Sequence, residues 1–434
     1  MTEPVIGFAG MTHLGINSAA ACAGRGFPTV CFDPDRKLIK SLAAGTLPVV
    51  EPGLPALLKE GAGRIRFTAD LAELADCDVV YIATDVPTDD CGASDLDGIR
   101  ALIATVAAHL GARSLLVVLC QIPPGFTRQL ALPAERLFYQ VETLVFGRAV
   151  ERALKPERII VGCADPARDL PAPYRKFLAA FGCPVLTMRY ESAELAKIAI
   201  NCCLVASVTV ANTLAELSER IGADWSEIAP ALKLDRRIGQ HAYLTPGLGL
   251  AGGNLERDLA TVMRLAEETG TDAALVRSFA HSSGHRRDWA LRTLHAEVLA
   301  VRRDAVIGVL GLAYKEDTHS TKNSPALALI RHLTPWPVRV YDPVVLAEAA
   351  RHPRTIACGS ALEAAAGADA LAIMTPWPQF RELKADELRR ALRGRTVIDP
   401  YRVLDGAAVT AAGLDYFTLG AGARRGSRGE KQDA

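Results

Sequence analysis

The chain has 434 residues, of which 50% are hydrophobic and 23% are charged. Because a domain usually has about 150 residues, this length predicts two or three domains with large apolar cores. The 49 basic residues balance the 49 acidic ones, so the chain lacks the net positive charge typical of proteins that bind nucleic acid or an anionic membrane. The composition also excludes a mainly disordered, collagen-like or coiled-coil protein.

The first residues and the cysteines indicate the compartment. The chain enters an apolar strand at once, without the basic and long apolar regions of a secretory signal, which predicts a cytoplasmic protein. The ten cysteines include no C-x-x-C pair, so we expect buried thiols and neither disulfides nor a metal site. The segment most like a membrane span, Ile198 to Ala211, is short and interrupted by polar residues, which favours a buried core helix.

The chain begins and ends with alternating strand and helix patterns and is helical between them. The long helix of the middle is predicted over Ser192 to Arg220. We predict an α/β fold with two Rossmann-like, doubly wound parallel-sheet domains, joined by a long central helix within a helical middle domain. The predicted strands are 5–9, 29–32, 79–83, 115–119, 159–161, 185–188, 305–310, 338–341, 370–374 and 396–398. The predicted parts are 1–190, 191–300, 301–422 and a mobile tail, 423–434.

The first turn, Gly10-Met11-Thr12-His13-Leu14-Gly15, predicts a dinucleotide site. It has the first and third glycines of G-x-G-x-x-G, with Thr12 at the middle place, and such a turn lets helix N–H groups approach a pyrophosphate. Asp33 follows at roughly the 20-residue spacing of the acid that accepts hydrogen bonds from the NAD ribose. The alternative is that Asp33-Pro34-Asp35 only begins a turn.

A lysine and an asparagine lie on an otherwise apolar helix. In Glu194-Leu195-Ala196-Lys197-Ile198-Ala199-Ile200-Asn201, the i, i+4 spacing places Lys197 and Asn201 on one face. They form a polar stripe that enters a core. The alternative is a lysine whose stem lies on the helix surface beside an exposed asparagine.

The loop from Pro246 to Gly253, Pro-Gly-Leu-Gly-Leu-Ala-Gly-Gly, is followed by Asn254-Leu255-Glu256-Arg257-Asp258. This segment resembles the P-G-x-G-x-G-G-x-C-x-x-K-D motif of the UDP-glucose/GDP-mannose dehydrogenase family, and Glu194 to Asn201 resembles its E-L-x-K-x-x-x-N helix. Further matching pieces are Glu51-Pro52-Gly53-Leu54, Thr84-Asp85-Val86-Pro87, Gly311-Leu312-Ala313-Tyr314-Lys315 and Tyr341-Asp342-Pro343. The resemblance covers nearly the whole chain.

The resemblance implies a homodimer, formed through the central helix, that binds NAD in the N-terminal domain and a nucleotide sugar, by default a UDP-sugar such as UDP-glucose, in the C-terminal domain. The family oxidises the C6 alcohol to a carboxylate through a cysteine thioester. By position, Lys197 and Asn201 would stabilise the C6 oxyanion, Asp258 would help to remove the proton through a water, and Glu142 would activate water. The other implied contacts with NAD are Gly10, Thr12, Leu14, Gly15, Asp33, Thr84, Val86, Pro87 and Gln121. Those with the sugar are Arg237, either from the same subunit or from the partner subunit, and Tyr243, Gly249, Gly252 and Lys315.

The main departure from this family is Asn254, which stands at the position of the nucleophilic cysteine. An amide cannot form a thioester; Asn254 could instead be the N-cap of the following helix, either alone or with an added contact to the C6 oxygen. Cys120 is the one outside candidate for a nucleophile, and Cys202 and Cys203 are expected to point away from the Lys197 face. Gln121 also replaces a threonine that many relatives use for water activation.

Three hypotheses follow from this pattern. The first is a single NAD-dependent oxidation of the nucleotide sugar, or another outcome of hydride transfer such as epimerisation. The second is full oxidation without a covalent intermediate, with Glu142 or Asp258 as the base. The third is a catalytically silent protein that binds NAD or a nucleotide sugar and regulates a partner, against which the retained Lys197, Asn201 and Asp258 argue.

Overall fold

The computed structural model describes residues 3–89 and 92–427, which form two compact units, Met1–Ile200 and Asn201–Ala434. The strands are β1 Ile6–Ala9, β2 Thr29–Phe32, β3 Ile65–Thr68, β4 Val79–Ile82, β5 Leu115–Val118, β6 Leu137–Gln140, β7 Ile159–Cys163, β8 Val185–Arg189, β9 Ile307–Leu310, β10 Val338–Tyr341, β11 Thr355–Ala357, β12 Ala370–Ile373, β13 Thr396–Ile398 and β14 Asp415–Phe417. The α-helices are α1 His13–Gly24, α2 Arg36–Ala43, α3 Leu54–Gly61, α4 Asp97–Ala107, α5 Ala149–Leu154, α6 Ala172–Ala179, α7 Tyr190–Ile221, α8 Trp225–Leu234, α9 Asn254–Thr269, α10 Ala274–Arg287, α11 Trp289–Leu294, α12 Pro325–His332, α13 Ala361–Ala365, α14 Ala385–Ala391 and α15 Gly406–Ala411.

The first unit contains an eight-stranded sheet in the order β3-β2-β1-β4-β5-β6-β7-β8. Strands β1, β2, β4 and β5 are buried along their whole length, as expected for parallel strands with both faces covered. The chain order reverses between β1 and β4, which opens a crevice at the carboxyl ends of these strands. The predicted α/β class is confirmed, but the β6–β7 pair is antiparallel. The predicted list also missed the edge strand β3, whose burial is only partial, and the interior strand β6, whose first three residues are buried.

The second unit begins with helices and ends with a six-stranded, wholly parallel sheet in the order β11-β10-β9-β12-β13-β14. Its first strand, β9, is again central, and its chain order again reverses beside that strand. The sequence analysis missed β11 and β14, which are three-residue strands at the sheet edges. Both sheets lie inside the predicted ranges 1–190 and 301–422, whose boundaries stay predictions.

Helix α7 is continuous over 32 residues, close to the predicted Ser192 to Arg220. Its length and mean hydropathy of 1.8 would by themselves allow it to cross a membrane. However, Glu194 of this helix is buried and accepts hydrogen bonds from the Gly125 N–H at 2.6 Å and the Thr127 N–H at 2.9 Å. Asn201 and Asn212 are also buried. Polar groups with protein partners along this helix favour a helix of the folded protein over a membrane span, but only 33% of its most apolar window is buried.

The predicted tail, residues 423–434, starts in an ordered segment. Arg424 and Tyr416 of β14 exchange two backbone hydrogen bonds, of 2.8 and 2.9 Å. Arg425 forms an ion pair with Glu297 at 2.6 Å. The first residues of this segment are therefore bonded to the second unit, and residues 428–434 lie outside the described part of the chain.

Asp224 links the helical part of the second unit to its sheet domain. Its carboxylate caps α8 by accepting the Ser226 N–H at 2.9 Å, and it accepts a hydrogen bond from Arg402 at 2.7 Å. Burial raises the pKa of Asp224, but the hydrogen bonds from Arg402 and Ser226 outweigh burial and lower the pKa to about 2. The ionised carboxylate thus stabilises the folded unit.

We expect Asp224→Asn to lower the free energy of unfolding by about 1–2 kcal/mol at pH 7, since the folded pKa lies below that of the unfolded chain. This contribution is present above the unfolded value of 3.8 and is lost as the pH falls towards 2. Urea unfolding of both proteins at several pH values measures the difference. Asp405→Asn is the matched control, because Asp405 caps α15 by accepting the Ala407 N–H. An equal loss in both variants would contradict the role of Arg402.

Candidate active site

The turn after β1 requires glycine at two positions. Gly10 has a φ of 98°, and a Cβ atom there would lie 2.9 Å from the Thr84 Cβ. A Cβ atom on Gly15 would lie 1.8 Å from the Gly10 carbonyl oxygen. Side chains are therefore excluded at both positions, and α1 starts close to the end of β1 with its first N–H groups directed at the crevice.

The middle position of the turn carries Thr12, the residue before α1. Its side chain makes no capping bond to the helix, and its hydroxyl accepts a hydrogen bond from the Asp85 N–H at 3.0 Å. The side chain of Leu14, by contrast, packs in the core beneath the sheet. Only the backbone of Leu14 can therefore serve a ligand at this helix end.

The Asp33 carboxylate takes part both in the glycine turn of the candidate dinucleotide site and in a local turn of its own segment. One carboxylate oxygen accepts the Met11 N–H at 2.8 Å, which fixes the glycine turn, and the other accepts the Asp35 N–H at 2.9 Å, which forms the local turn. A carboxylate has about four acceptor positions, so ribose hydroxyls can still donate to it. Thr84, Val86 and Pro87 follow β4, and Gln121 follows β5, at the same carboxyl edge.

His13 and Glu51 form a buried pair that the sequence analysis did not assign to the site. The His13 Nε2 lies 2.8 Å from the Glu51 carboxylate, which also accepts the Gly147 N–H at 3.1 Å and the Ala149 N–H at 2.8 Å. The first residue of α1 is thereby tied to the segment that follows Glu142. The motif Glu51-Pro52-Gly53-Leu54 was the available clue, but its partners are far away in the sequence.

Lys197 and Glu142 form an ion pair, with 3.4 Å between the ammonium nitrogen and a carboxylate oxygen. Both side chains are largely buried, at 12% and 14% exposed. This pairing contradicts the alternative in which Lys197 lies on the helix surface. The lysine is held where a developing negative charge would be stabilised at low hydration.

Asn201 and Asp258 form the polar centre of the second unit. The Asn201 amide donates to the Asp258 carboxylate at 2.6 Å, and the Arg257 guanidinium lies 3.7 Å from the other carboxylate oxygen. All three residues are buried, so they act in a poorly hydrated setting. Because α7 is continuous, its helical repeat places Lys197 and Asn201 one turn apart on the same face.

The glycine-rich loop before α9 packs tightly against its neighbours in the second unit. Gly249 and Gly252 have φ values of 75° and 89°, and a Cβ atom on Gly252 would lie 2.8 Å from the Tyr314 ring. The Gly252 N–H also donates to the Lys322 carbonyl at 3.0 Å. The Lys315 ammonium lies 5.9 Å from the centre of the Tyr314 ring, so the structure brings Lys315 to the vicinity of this loop.

The prediction that Asn254 is the N-cap of α9 is wrong. Asn254 is the first helical residue, and Gly253 with a φ of 90° is the cap. The Glu256 carboxylate accepts the Gly253 N–H at 2.9 Å and so closes the helix end. Because Gly253 and Glu256 cap α9, the Asn254 side chain does not serve as a cap, and it is exposed at the start of the helix.

Arg237 and Tyr243 lie on the exposed segment that follows α8. The Arg237 side chain is 89% exposed and pairs locally with Asp235 at 2.6 Å. Tyr243 is also exposed, beside Lys233 and His241 around an open cleft. This exposure agrees with the expectation that Arg237 acts on a site of a second subunit, which stays a prediction.

The turn after β9 repeats the geometry of the turn after β1. Gly311 has a φ of 88°, and a Cβ atom there would lie 2.4 Å from the Thr375 side chain. Asp342 accepts the Leu312 N–H at 2.6 Å, as Asp33 accepts that of Met11, and it also binds the Trp377 indole N–H and the N–H groups of Val344 and Val345. Asp342 therefore has more protein donors than Asp33 has.

The buried cysteines are poor nucleophiles. Burial raises the pKa of the Cys120 thiol to about 12, and its S–H points to the Ile82 carbonyl at 3.3 Å. Cys202 lies nearer to the glycine-rich loop than the helical repeat suggested, because it packs against the hydrophobic cluster that contains Leu250 of this loop. Burial, and then the Asp258 charge, raise the pKa of Cys202 as well. Both thiols stay protonated at neutral pH.

Comparisons with known proteins agree with this arrangement. Three family models match, described as the NAD binding domain, the central domain and the UDP binding domain of the UDP-glucose/GDP-mannose dehydrogenase family, at residues 5–177, 191–283 and 308–406. A UDP-glucose 6-dehydrogenase of Pseudomonas aeruginosa is 30% identical over 95% of this chain and 96% of its own length. The chain belongs to the UDP-glucose/GDP-mannose dehydrogenase family.

Other relatives support this membership along the whole chain. A UDP-glucose 6-dehydrogenase of Rhizobium meliloti is 30% identical over 95% of this chain and 98% of its own length. The structure of a UDP-glucose dehydrogenase from the archaeon Pyrobaculum islandicum is 27% identical, with a TM-score of 0.82, and covers 94% of this chain and 98% of that chain. This family member is therefore an NAD-dependent oxidoreductase that acts on a CH–OH group of a nucleotide sugar.

The residues present fit NAD in most respects. Because Gly10 and Gly15 have no side chains, space for a phosphate remains at the N-terminal end of α1, and the Asp33 carboxylate can accept hydrogen bonds from ribose hydroxyls. Thr12 is the exception, because its side chain stands at the middle position of the turn, where the pyrophosphate would approach. NAD supplies the hydride acceptor of the family's reaction.

We expect the double variant Cys120→Ala, Cys202→Ala to keep the turnover and the NADH yield of the wild type, because neither thiol is available as a thiolate. Initial rates and NADH per sugar measure this, with intact-protein mass after iodoacetamide treatment as a check on thiol reactivity. Cys203→Ala is the control, since Cys203 is exposed. A loss of the second NADH in the double variant alone would show a relocated nucleophile.

Proposed function

We propose that this enzyme oxidises the C6 hydroxyl of a UDP-sugar, with UDP-glucose as the first candidate, once, and releases the aldehyde. One observation carries the proposal. Lys197, Asn201 and Asp258 are all present, and Asn201 donates to Asp258 at 2.6 Å, whereas α9 starts with an amide in place of the thiol. The residues for the first hydride transfer are kept and the acyl-forming residue is absent.

The first oxidation needs three roles from the protein. As the hydride leaves C6, the hydroxyl proton must pass to a base, and Asp258 takes it, directly or through a water. Asn201 donates to the Asp258 carboxylate and so holds its orientation. Lys197 stabilises the alkoxide-like oxygen, because an ammonium at low hydration interacts strongly with a developing charge.

The second oxidation lacks its usual covalent route. A thiol adds to the aldehyde and keeps the carbon poised for a second hydride loss, but the amide of Asn254 is too weak a nucleophile to do so. Asn254 is exposed and is not needed as the cap of α9, so its amide is available to bind a sugar oxygen. We infer that Asn254 binds the aldehyde product or the C6 oxygen.

The Lys197–Glu142 pair favours one alternative, full oxidation of UDP-glucose to UDP-glucuronate without a cysteine. Glu142 is buried beside the cation that would bind C6, at 3.4 Å from Lys197. From there it could deprotonate the hydrate of the aldehyde before a second hydride loss. This route makes two NADH and a carboxylate, whereas the silent binding protein makes neither.

The C-terminal domain supports a nucleotide sugar as the substrate. It is matched by the UDP binding domain of the family, and its β9 turn places Lys315 beside the glycine-rich loop of the same unit. The relatives from Pseudomonas aeruginosa and Rhizobium meliloti are UDP-glucose 6-dehydrogenases, which makes UDP-glucose the first sugar to test. The cytoplasmic location stays a prediction.

The NADH yield per molecule of limiting UDP-sugar tests the proposal. We expect one NADH and an aldehyde, identified by mass, for the wild type. We expect Asn254→Cys to raise the yield towards two and to form a carboxylate, because a thiol at the N-terminal end of α9 has a lowered pKa. UDP-glucose, UDP-N-acetylhexosamines and GDP-mannose form the panel.

Asn254→Ser is the matched control, since it changes the same position without adding a thiol. The proposal requires one NADH for this variant. Two NADH in the wild type would replace the proposal with the non-cysteine route. Tight binding of NAD and a UDP-sugar without turnover would instead indicate a regulatory binding protein.

We further propose that the protein is a homodimer through α7. This helix exposes apolar side chains at helical spacing in the second unit, and a second copy of the same helix would cover them. The exposed residues are Val210, Leu214, Leu217 and Ile221, at 53%, 40%, 51% and 66%.

We expect the double variant Leu214→Glu, Leu217→Glu to shift the protein from dimer to monomer, because burying two carboxylates without partners costs several kcal/mol. Light scattering after size-exclusion chromatography measures the mass. Val301→Glu is the control for an exposed apolar residue outside α7, at 83% exposed. An unchanged mass in the double variant would contradict an interface at this part of α7.

A further inference from the structure

We propose that Asn323 is a positioning residue for the reaction and that it acts through Glu256, which joins it to the first turn of α9. In this role Asn323 fixes the start of the helix on which the Asn254 amide meets the C6 oxygen, and it does not itself bind the sugar. The inference rests on the proposed function in one respect, namely that the Asn254 amide binds this oxygen.

The Glu256 carboxylate is shared between two partners in the second unit. One of its oxygens accepts the Gly253 N–H at 2.9 Å, and the other accepts a hydrogen bond from the Asn323 side-chain amide at 2.8 Å. Gly253 is the cap of α9, and Asn254 is the next residue. Because hydrogen bonds to a carboxylate are stronger than those between neutral groups, this link holds the peptide just before Asn254 firmly to the loop that follows β9.

The backbone around Asn323 holds its amide in place. Asn323 has a φ of 52°, a left-handed conformation that asparagine adopts more readily than most residues. The next residue, Ser324, is buried and caps α12, and its hydroxyl donates to the Leu312 carbonyl at 2.8 Å. The Asn323 side chain therefore extends to Glu256 from a fixed point at the start of α12.

The two loops also contact each other at points that do not involve Asn323. The Gly252 N–H donates to the Lys322 carbonyl at 3.0 Å, and a Cβ atom on Gly253 would lie 3.2 Å from the Lys322 Cγ. These contacts hold the loops together through their backbones. Removing the Asn323 amide is therefore expected to release the Glu256 side chain while the loops stay packed.

The direction of the Asn254 amide depends on the start of α9, because this side chain is exposed at the first position of the helix. Small displacements of a group that contacts a reacting atom have large effects on the rate, since the reaction needs well-aligned atoms. Lys315, an implied contact of the nucleotide sugar, lies on the same loop as Asn323. One loop thus provides a contact for the nucleotide sugar and positions the amide that meets its C6 oxygen.

The competing explanation is that Glu256 only caps α9 and that Asn323 only stabilises its own loop. Loss of the link would then lower the stability of the protein or its affinity for UDP, and it would lower the rate equally whichever residue stands at position 254. A positioning role instead lowers kcat, and it does so only when the amide is present at position 254.

The test exchanges the donor and the acceptor of the link. Asn323→Asp places a carboxylate against Glu256, and we expect it to lower kcat about tenfold with the most active sugar of the panel, while the dissociation constant of UDP stays within about twofold. In the double variant Asn323→Asp, Glu256→Gln, the new amide accepts the Gly253 N–H and donates to the new carboxylate, so we expect kcat to return to within about twofold of the wild type. Initial rates of NADH formation give kcat and KM, and calorimetry gives the affinity for UDP.

The same substitution in an Asn254→Ala background separates the two explanations. We expect Asn323→Asp to lower kcat no further there, because the amide that it positions is absent. Asp317→Gly is the matched control, an exposed residue of the same loop with a φ of 58°, and it should keep the wild-type rate. Thermal unfolding of each variant, and Asn323→Gly as a second variant that keeps the backbone conformation, separate misfolding from a loss of positioning.

Three results would overturn the inference and leave the proposed function standing. They are a wild-type kcat in both Asn323→Asp and Asn323→Gly, a double variant that folds normally but stays as slow as Asn323→Asp, and an equal loss of kcat in the Asn254→Ala background. No turnover of any sugar of the panel by the wild type would overturn both.

Discussion

The site in each sheet domain depends on one steric constraint, the close backbone approach at the end of its first strand. In the first unit, the Gly10 carbonyl oxygen would lie only 1.8 Å from a Cβ atom on Gly15, so α1 can start there only if position 15 has no side chain. In the second unit, a Cβ atom on Gly311 would lie 2.4 Å from the Thr375 side chain. Because the turn is so tight, helix N–H groups and strand ends face the same crevice. An acidic residue after the neighbouring strand, Asp33 or Asp342, accepts an N–H of the turn and fixes its conformation.

The same geometry serves different purposes in the two units. Asp33 uses each of its carboxylate oxygens for one backbone N–H, which leaves acceptor positions for ribose hydroxyls. Asp342 accepts from four backbone N–H groups and from the Trp377 indole. Because protein donors take up its acceptor positions, Asp342 serves to hold its own loop in place. The difference accounts for one dinucleotide-binding turn and one turn of related shape that holds its own loop.

The chemistry is concentrated in buried polar pairs. Lys197 with Glu142, and Asn201 with Asp258, hold charges and donors where water is scarce, and such groups exert the largest effect on a reacting oxygen. Asn254 differs in kind, because it is exposed at the first position of α9 and the helix end is closed by Gly253 and Glu256. In the function that we propose, the amide at this position removes the covalent step, so the oxidation stops after one hydride transfer.

The sequence by itself determined the α/β class, the long helix α7, the glycine turn and the family, since these follow from local periodicity and from motifs that are contiguous along the chain. It missed the edge strands β3, β11 and β14, whose burial is only partial, and also the interior strand β6. The antiparallel pairing of β6 with β7 could not be predicted either, because strand direction is set by distant segments. Only the tertiary structure decided that Gly253 caps α9, that Glu51 binds His13, and that Asp85 stands at the start of α1. Glu51 and His13, like Asp85 and Thr12, are far apart in the sequence, so only folding brings them within hydrogen-bonding distance.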